Sequence, residues 1–416
     1  MVSTSDTVGG AARSAFRLHQ GFRRINFEHE MLVQSKRSDD EEVVGTTDSA
    51  SGVGQVRTGL RLTLNQLPLK RYQSRGGLGF SPQWLPDRVL PKTKQIDPDV
   101  VNLHWVRSGF VQIETLARLN RPIVWTLHDM WPFTGGCHYD GDCGRYLASC
   151  GACPQLGSDK ERDLSRSIWK RKAKAYEAAD LTIVAPSNWL ANCARESALF
   201  KNFRVERIPY GIDTDVYRPM GKRLAREALG LPLDKQLILF GSLKATSDRR
   251  KGFHFLQAAL QELSLAVPND SVELVVFGAS GAQQPPEYGF KTRYLGSFSD
   301  DLSLSLVYSA ADAFILPSVQ ENLANTIIEA LVCGVPCLAF DIGGMPDMIA
   351  HKENGYLAQP YEVEDLAKGL SFILNELSER PYLSKEISDR ARNVFPLELQ
   401  ATRYRSLFQE LVKGRD

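Results

Sequence analysis

The 416-residue sequence contains no apolar run near the ~18 residues that a membrane span needs. Its opening, MVSTSDTVGGAARS, lacks the charged-then-apolar pattern of a secretory leader. Both absences point to the cytoplasm, with the cytoplasmic face of the membrane as a candidate peripheral contact. No internal repeat and no GxGxxG fingerprint occurs, so a dinucleotide-binding oxidoreductase is disfavoured. Net charge is scarce as well: 50 Lys+Arg stand against 49 Asp+Glu, for a total of +1. That balance hides an asymmetry. Residues 1–210 carry 29 basic and 22 acidic side chains, 29 − 22 = +7, which leaves 1 − 7 = −6 for the remainder. A basic N-terminal half suits an anionic partner such as a membrane surface or a phosphate-linked acceptor, though a solvated surface accounts for it nearly as well. No nucleic-acid partner is expected.

What is present is an ordinary globular composition, 43% apolar and 24% charged, long enough for two domains with full cores. Val2–Ser5 reads as the end of a strand whose beginning is missing; Gly9-Gly10 and an amphipathic helix to about Phe27 follow. Residues 35–60 are polar and glycine-rich and read as a loop or disordered insert. Residues 66–94 mix Lys70, Arg71 and Arg75 with Phe80, Trp84 and Leu85, which fits either a membrane-touching segment or a loop packed on its own domain. From Asp99 strands and helices alternate: strands at 100–105, 123–127, 181–185 and 205–208, helices at 109–119, 163–178 and 187–197. The Pro/Gly-rich stretch 209–221 reads as a junction. The alternation resumes with strands at 236–241, 272–278, 293–295, 313–316, 335–340 and 354–358. The predicted fold is α/β, with two doubly wound Rossmann-like domains facing a cleft. The expected boundaries are 1–208 and 209–385, with 386–416 as helices returning to the first domain.

Residues 311–341, ADAFILPSVQENLANTIIEALVCGVPCLAFD, form the most informative stretch. Strand, polar elbow, helix and strand succeed one another, and Glu321 and Glu329 bracket the helix start. Free backbone N–H groups there offer a seat for a diphosphate, and flanking acids suit sugar hydroxyls. Two solvated helix acids would look the same in isolation. Upstream, strand 236–241 ends in Gly241, and the loop beyond it carries Lys244, Arg249, Arg250 and Lys251 before Gly252. Cations at a strand's carboxyl end would neutralise a diphosphate leaving group; a solvated basic loop is the plainer alternative. His128 closes a buried-looking strand and would hydrogen-bond a sugar or orient the reacting group, unless it is only structural. His104, on the neighbouring strand, is a weaker candidate. Cys137, Cys143, Cys150 and Cys153 crowd into seventeen residues and end in a CxxC pair, the spacing of a tetrahedral structural zinc site. Disulfides and free thiols stay open, and His138 could replace one ligand.

Together these residues resemble the retaining glycosyltransferases of family 4, which have the GT-B fold. The resemblance rests on Glu321-x7-Glu329 with Ala330-Leu331-x-Cys333-Gly334-x-Pro336, on Gly343-Gly344, and on Arg250-Lys251-Gly252. Tyr210-Gly211-Ile212-Asp213, Thr126-Leu127-His128-Asp129 and Gly9-Gly10 support it. Asn102-Leu103-His104-Trp105 and the cysteine insert are similar to a colanic acid, exopolysaccharide-synthesis subgroup. The resemblance implies a UDP- or GDP-sugar donor, a lipid-linked or oligosaccharide acceptor, and no cofactor required for catalysis. It also implies that Glu329 holds the ribose, Glu321 the donor sugar, and Lys251 the diphosphate with the amides of Asn322, Leu323 and Ala324. Gly296 would lie beside the base, His128 would reach the sugar, and Gly9 and Gly10 would line the cleft floor. Two positions depart from the family. Ser242 follows Gly241 where Arg is common nearby, so the second cation is Lys244, Arg249 or Arg250. Asn322 replaces a common Gly, and its side chain would narrow donor choice. A non-catalytic nucleotide-sugar or glycan-binding protein of the same fold is the alternative function.

Overall fold

The computed structural model describes residues 1–46, 52–72, 79–241, 248–268, 270–278, 288–298 and 300–414. Arg75, Ser242 and Lys244, singled out above, lie outside the described residues. The chain divides into two compact units, Met1–Gly211 with Glu398–Asp416, and Ile212–Leu397.

The first unit is built on β1 (Val2–Ser5), β2 (Met31–Ser35), β3 (Val43–Gly45), β4 (Val101–Leu103), β5 (Ile123–Thr126), β6 (Leu181–Ala185) and β7 (Arg204–Arg207). Its helices are α1 (Gly10–Arg24), α2 (Gly52–Asn65), α3 (Val89–Ile96), α4 (Leu164–Glu177) and α5 (Asn188–Glu196). All seven strands are parallel, in the order β3-β2-β1-β4-β5-β6-β7. Parallel strands covered by helices on both faces read as continuous apolar runs, and Leu181-Thr-Ile-Val-Ala is buried at every position. Side-chain caps start the helices that follow: Asp163 accepts the Arg166 N–H at 3.1 Å and Ser187 that of Leu190 at 3.1 Å.

The second unit contains α6 (Lys222–Leu229), β8 (Gln236–Gly241), α7 (Phe253–Ala266), β9 (Val272–Phe277), β10 (Lys291–Gly296), α8 (Asp301–Ser309), β11 (Ala313–Leu316), α9 (Asn325–Val332), β12 (Cys337–Phe340), β13 (Gly355–Ala358), α10 (Val363–Phe372) and α11 (Leu383–Val394). Its six parallel strands run β10-β9-β8-β11-β12-β13. In each unit the order reverses beside the first strand, between β1 and β4 and between β8 and β11. Open parallel sheets bind ligands at the carboxyl ends of the strands flanking such a reversal.

A last helix, α12 (Leu397–Lys413), returns to the first unit. The return begins at Glu398, later than the expected 386, because α11 stays with the second unit. Ser388 of α11 donates to the Val332 carbonyl at 2.7 Å, and the missing Cβ of Gly334 leaves room for Ser384. Ala401, Tyr404, Leu407 and Phe408 of α12 share an apolar cluster with Leu18 and Phe22 of α1, Val124 of β5 and Val184 of β6.

Two readings of the N-terminal half need correction. Residues 35–60 are not simply a loop, since they include β3 and the start of α2. Residues 109–119 hold a 3-10 helix at Ile113–Arg118 rather than a full α-helix. Side chains from residues 83 and 87 pin the backbone before and within this stretch. Gln83 donates to the Val106 and Val111 carbonyls and accepts the Gly109 N–H, and Asp87 accepts the Gln112 N–H. Phe80 and Leu85 are buried, with Phe80 in the core, while Trp84 is exposed. No described helix is long and apolar enough to cross a membrane.

One buried polar contact ties α12 into the first unit: the Tyr404 hydroxyl meets Thr126 Oγ1 at 2.8 Å. Tyr404→Phe keeps the ring and removes this bond, and should lower unfolding free energy by about 1 kcal/mol. A denaturant titration indistinguishable from wild type would show that the hydroxyl contributes nothing.

Candidate active site

In the second unit three loops converge at the carboxyl edge around the strand reversal. The loop after β8 ends in a 3-10 turn at Arg249–Lys251, capped by Asp248, whose carboxylate accepts the Arg250 N–H. Gly252 follows at φ +67°, and a Cβ there would lie 1.7 Å from the Pro317 carbonyl oxygen. Only glycine allows this approach, and it sets the basic turn directly against the loop after β11. The Val319 N–H donates to the Arg250 carbonyl at 2.8 Å and joins the two loops. From the third loop, after β12, the Gly344 N–H donates to the Glu321 carbonyl at 3.3 Å. A Cβ on Gly343 would lie 2.0 Å from that same oxygen.

This scaffold presses opposite charges together. Lys251 Nζ lies 2.7 Å from Glu321 Oε2, and Arg250 Nη1 lies 3.2 Å from the same oxygen. All three side chains are largely shielded from water. Burial alone would raise the Glu321 carboxyl; the adjacent Lys251 and Arg250 outweigh it and bring it down to about 2. Of the candidate second cations, Arg250 is the one beside Glu321, and Arg249 is exposed.

Asn322, Leu323 and Ala324 lead from Glu321 into α9 and are all buried. Ala324 is the N-cap and no side chain caps the helix. The N-cap residue supplies no side-chain oxygen to the positive end of the α9 dipole, a setting that favours an anion. Glu329 lies farther along the helix, buried, and accepts the Tyr308 hydroxyl at 2.8 Å. Gly241 ends β8, where any Cβ would strike the Phe277 ring, and Gly296 ends β10 at φ +75°. The structure thus joins Lys251, Arg250 and Glu321 by direct contact, links Asn322–Ala324 through the chain, and gives Glu329 a separate partner on α8.

In the first unit, Gly9 and Gly10 follow β1, and Gly9 takes φ +91° as the N-cap of α1. His128 follows β5 and His104 follows β4. The Asn102 amide nitrogen donates to the Val124 carbonyl at 3.0 Å and to Thr126 Oγ1 at 3.1 Å, so its oxygen faces His104 Nε2 at 2.8 Å. His104 must carry its proton on Nε2, which leaves Nδ1 to accept from His128 Nε2 at 3.1 Å. His128 Nδ1 in turn accepts the Tyr210 hydroxyl at 2.7 Å. Burial, reinforced by Arg107, lowers His128 to about 3, so the whole chain is neutral at pH 7.

The four insert cysteines, expected above as metal ligands, are free thiols that lie near enough to influence one another's charge. Among the described residues no three of their sulfurs lie within 4.8 Å of one another. Apolar packing and backbone contacts also hold the insert. Cys137 and Cys153 belong to the core, and Cys150 Sγ accepts the Gly135 N–H at 3.1 Å. His138 is turned to Ser81 Oγ, 2.9 Å away. Burial raises every one of the four thiols, Cys150 to about 11.

Comparison with known proteins agrees with this architecture. Residues 8–216 match the model of glycosyltransferase family 4, and residues 234–376 match that of the glycosyl transferases of group 1. The chain belongs to glycosyltransferase family 4. It is 25% identical over 410 residues to a D-inositol 3-phosphate glycosyltransferase of Corynebacterium aurimucosum, covering 93% of this chain and 87% of that protein. Among solved structures it resembles a sucrose-phosphate synthase of Thermosynechococcus elongatus, with a TM-score of 0.70 and 19% identity over 99% of this chain and 96% of that one. It also resembles Anabaena HepE in complex with UDP-glucose, with a TM-score of 0.61 and 18% identity over 98% of both chains. These likenesses establish the GT-B fold for this family 4 chain.

Sequence reasoning named the acids, the cations and His128 but missed Tyr308 as the partner of Glu329 and assigned no task to Tyr210. Tyr210 sat in a quoted motif and so carried a signal; Tyr308 had none, because its approach to α9 is purely tertiary.

The low Glu321 value has a pH consequence. A carboxyl at about 2 in the folded chain and near its ordinary 4.5 when unfolded stabilises the fold fully above 4.5. That contribution is lost as pH falls from 4.5 toward 2. Glu321→Gln should flatten this part of the stability–pH curve in acid titrations, and an unchanged slope would sink the assignment.

Proposed function

We propose that the enzyme transfers a sugar from a UDP- or GDP-sugar to a lipid-linked or oligosaccharide acceptor in bacterial exopolysaccharide synthesis, with retention of anomeric configuration. The observation that carries this reading is the Lys251–Arg250–Glu321 cluster at the strand reversal, beside the uncapped start of α9. The UDP-glucose bound to the HepE neighbour supports a donor of this chemical class.

In this reading Lys251 and Arg250 meet the diphosphate, and the amides of Asn322, Leu323 and Ala324 bind its oxygens. Glu329 takes the ribose hydroxyls, with Tyr308 fixing its carboxylate, and Glu321 accepts from the donor sugar while positioning Lys251. Gly296, whose missing Cβ faces open space, leaves room at its strand end for the nucleotide, and Gly241 admits the Phe277 ring beside it. The bond between the anomeric carbon and the diphosphate oxygen breaks, and its electron pair stays with the phosphate. The acceptor hydroxyl attacks from the same face, and its proton passes to the departing phosphate oxygen. Charge accumulates on that oxygen in the transition state, where fixed cations and helix amides are most effective. Within the first unit, His128 offers a hydrogen bond to a sugar hydroxyl, and Gly9 and Gly10 give the backbone close approach. The basic first half fits an acceptor or membrane surface carrying phosphate, with the enzyme on the cytoplasmic side.

Lys251→Ala should reduce kcat by roughly 10²- to 10³-fold while circular dichroism stays native. The assay is nucleoside diphosphate release from a panel of UDP- and GDP-sugars, with product linkage read by NMR. Wild-type turnover in the variant would remove Lys251 from the mechanism, and binding without any transfer by the intact protein would favour a non-catalytic binding protein.

A further inference from the structure

At the amino edge of the first sheet, away from Gly9 and His128, a second polar cluster has no part in the proposed transfer. His19 projects from α1, His29 precedes β2 and Glu42 immediately precedes β3. One ligating atom from each lies within 4.8 Å of the others. Hydrogen bonds fix both ring tautomers. His29 Nδ1 lies 2.8 Å from the Phe27 carbonyl, which can only accept, so the proton is on Nδ1 and Nε2 is bare. His19 Nε2 lies 3.2 Å from the Asp40 carboxylate, so its proton is on Nε2 and Nδ1 is bare. Yet His29 Nε2 and His19 Nδ1 face each other at 2.7 Å. Two bare nitrogen lone pairs repel at that distance, and something positive must sit between them.

We propose that His19 Nδ1, His29 Nε2 and the Glu42 carboxylate hold one divalent ion of the zinc class. Two neutral imidazoles and a carboxylate suit such an ion and leave a fourth position for water. Its outer partners are already in place. Asp40 holds the far nitrogen of His19, and the Phe27 carbonyl holds that of His29, the arrangement that orients metal-bound imidazoles. Metal–nitrogen bonds of about 2.1 Å need the nitrogens roughly 3.3 Å apart, so the pair opens by several tenths of an ångström on binding. Arg23, 2.8 Å from Asp40 and 3.6 Å from Glu42, offsets part of the acidic charge. The ion would pin the second half of α1 to the starts of β2 and β3 and would serve stability, not transfer.

The test uses the full chain, stripped with a chelator and titrated separately with Zn²⁺ and Co²⁺. One equivalent should bind and raise Tm by on the order of 5 °C at about a hundredfold excess over Kd. Co²⁺ should give a tetrahedral nitrogen/oxygen spectrum without a sulfur charge-transfer band. Glu42→Ala and His29→Ala should each abolish the Tm shift; both residues are less buried than His19, whose replacement risks misfolding. No uptake by the wild-type chain would mean that a proton alone bridges the two rings and would overturn the proposal. Uptake that persists in both variants, or a sulfur band marking the cysteine insert, would overturn it equally.

Discussion

The second unit depends on one electrostatic arrangement: a shielded carboxylate, Glu321, shared by two cations from a different loop. None of the three charges is cheap to bury alone, and removing one partner would strand the others in a poorly hydrated place. The backbone around them is correspondingly specific. Gly252 lets one loop reach the carbonyl of Pro317, and Gly343 lets another reach the carbonyl of Glu321. The ion cluster therefore holds the loops of β8, β11 and β12 in register at the point where the sheet changes direction. In the proposed reaction a diphosphate enters this network and competes with Glu321 for the same ammonium group, so that ligand binding exchanges one ion pair for another and avoids creating charge in a dry site.

Much of this was legible in the sequence because parallel sheets write themselves as short apolar runs. β8 and β11 match their predicted limits residue for residue, and the acids and cations fall in the polar gaps between such runs. Failures arose where tertiary contacts override local pattern. Gln83 and Asp87, distant in sequence from residues 106–115, pin the backbone there. The CxxC pair of the insert suggested a metal because its spacing is visible along the chain. The paired histidines His19 and His29 escaped notice for the converse reason. They are ten positions apart, match no motif, and meet only because α1 folds back along β1.

The chain's path through its two units has a consequence for the order of its assembly. The second unit starts and finishes at one hydrogen-bonded crossing, where the Ile212 N–H reaches the Phe395 carbonyl and the Leu397 N–H reaches the Ile212 carbonyl. It is an insertion into the first unit. The apolar face of α1 is completed by α12, which follows the whole inserted unit in the chain. On a ribosome the inserted unit can close its own core first, while Leu18 and Phe22 wait nearly the length of the chain for Tyr404 and Phe408. The first unit is thus completed only after the unit inserted within it has been made.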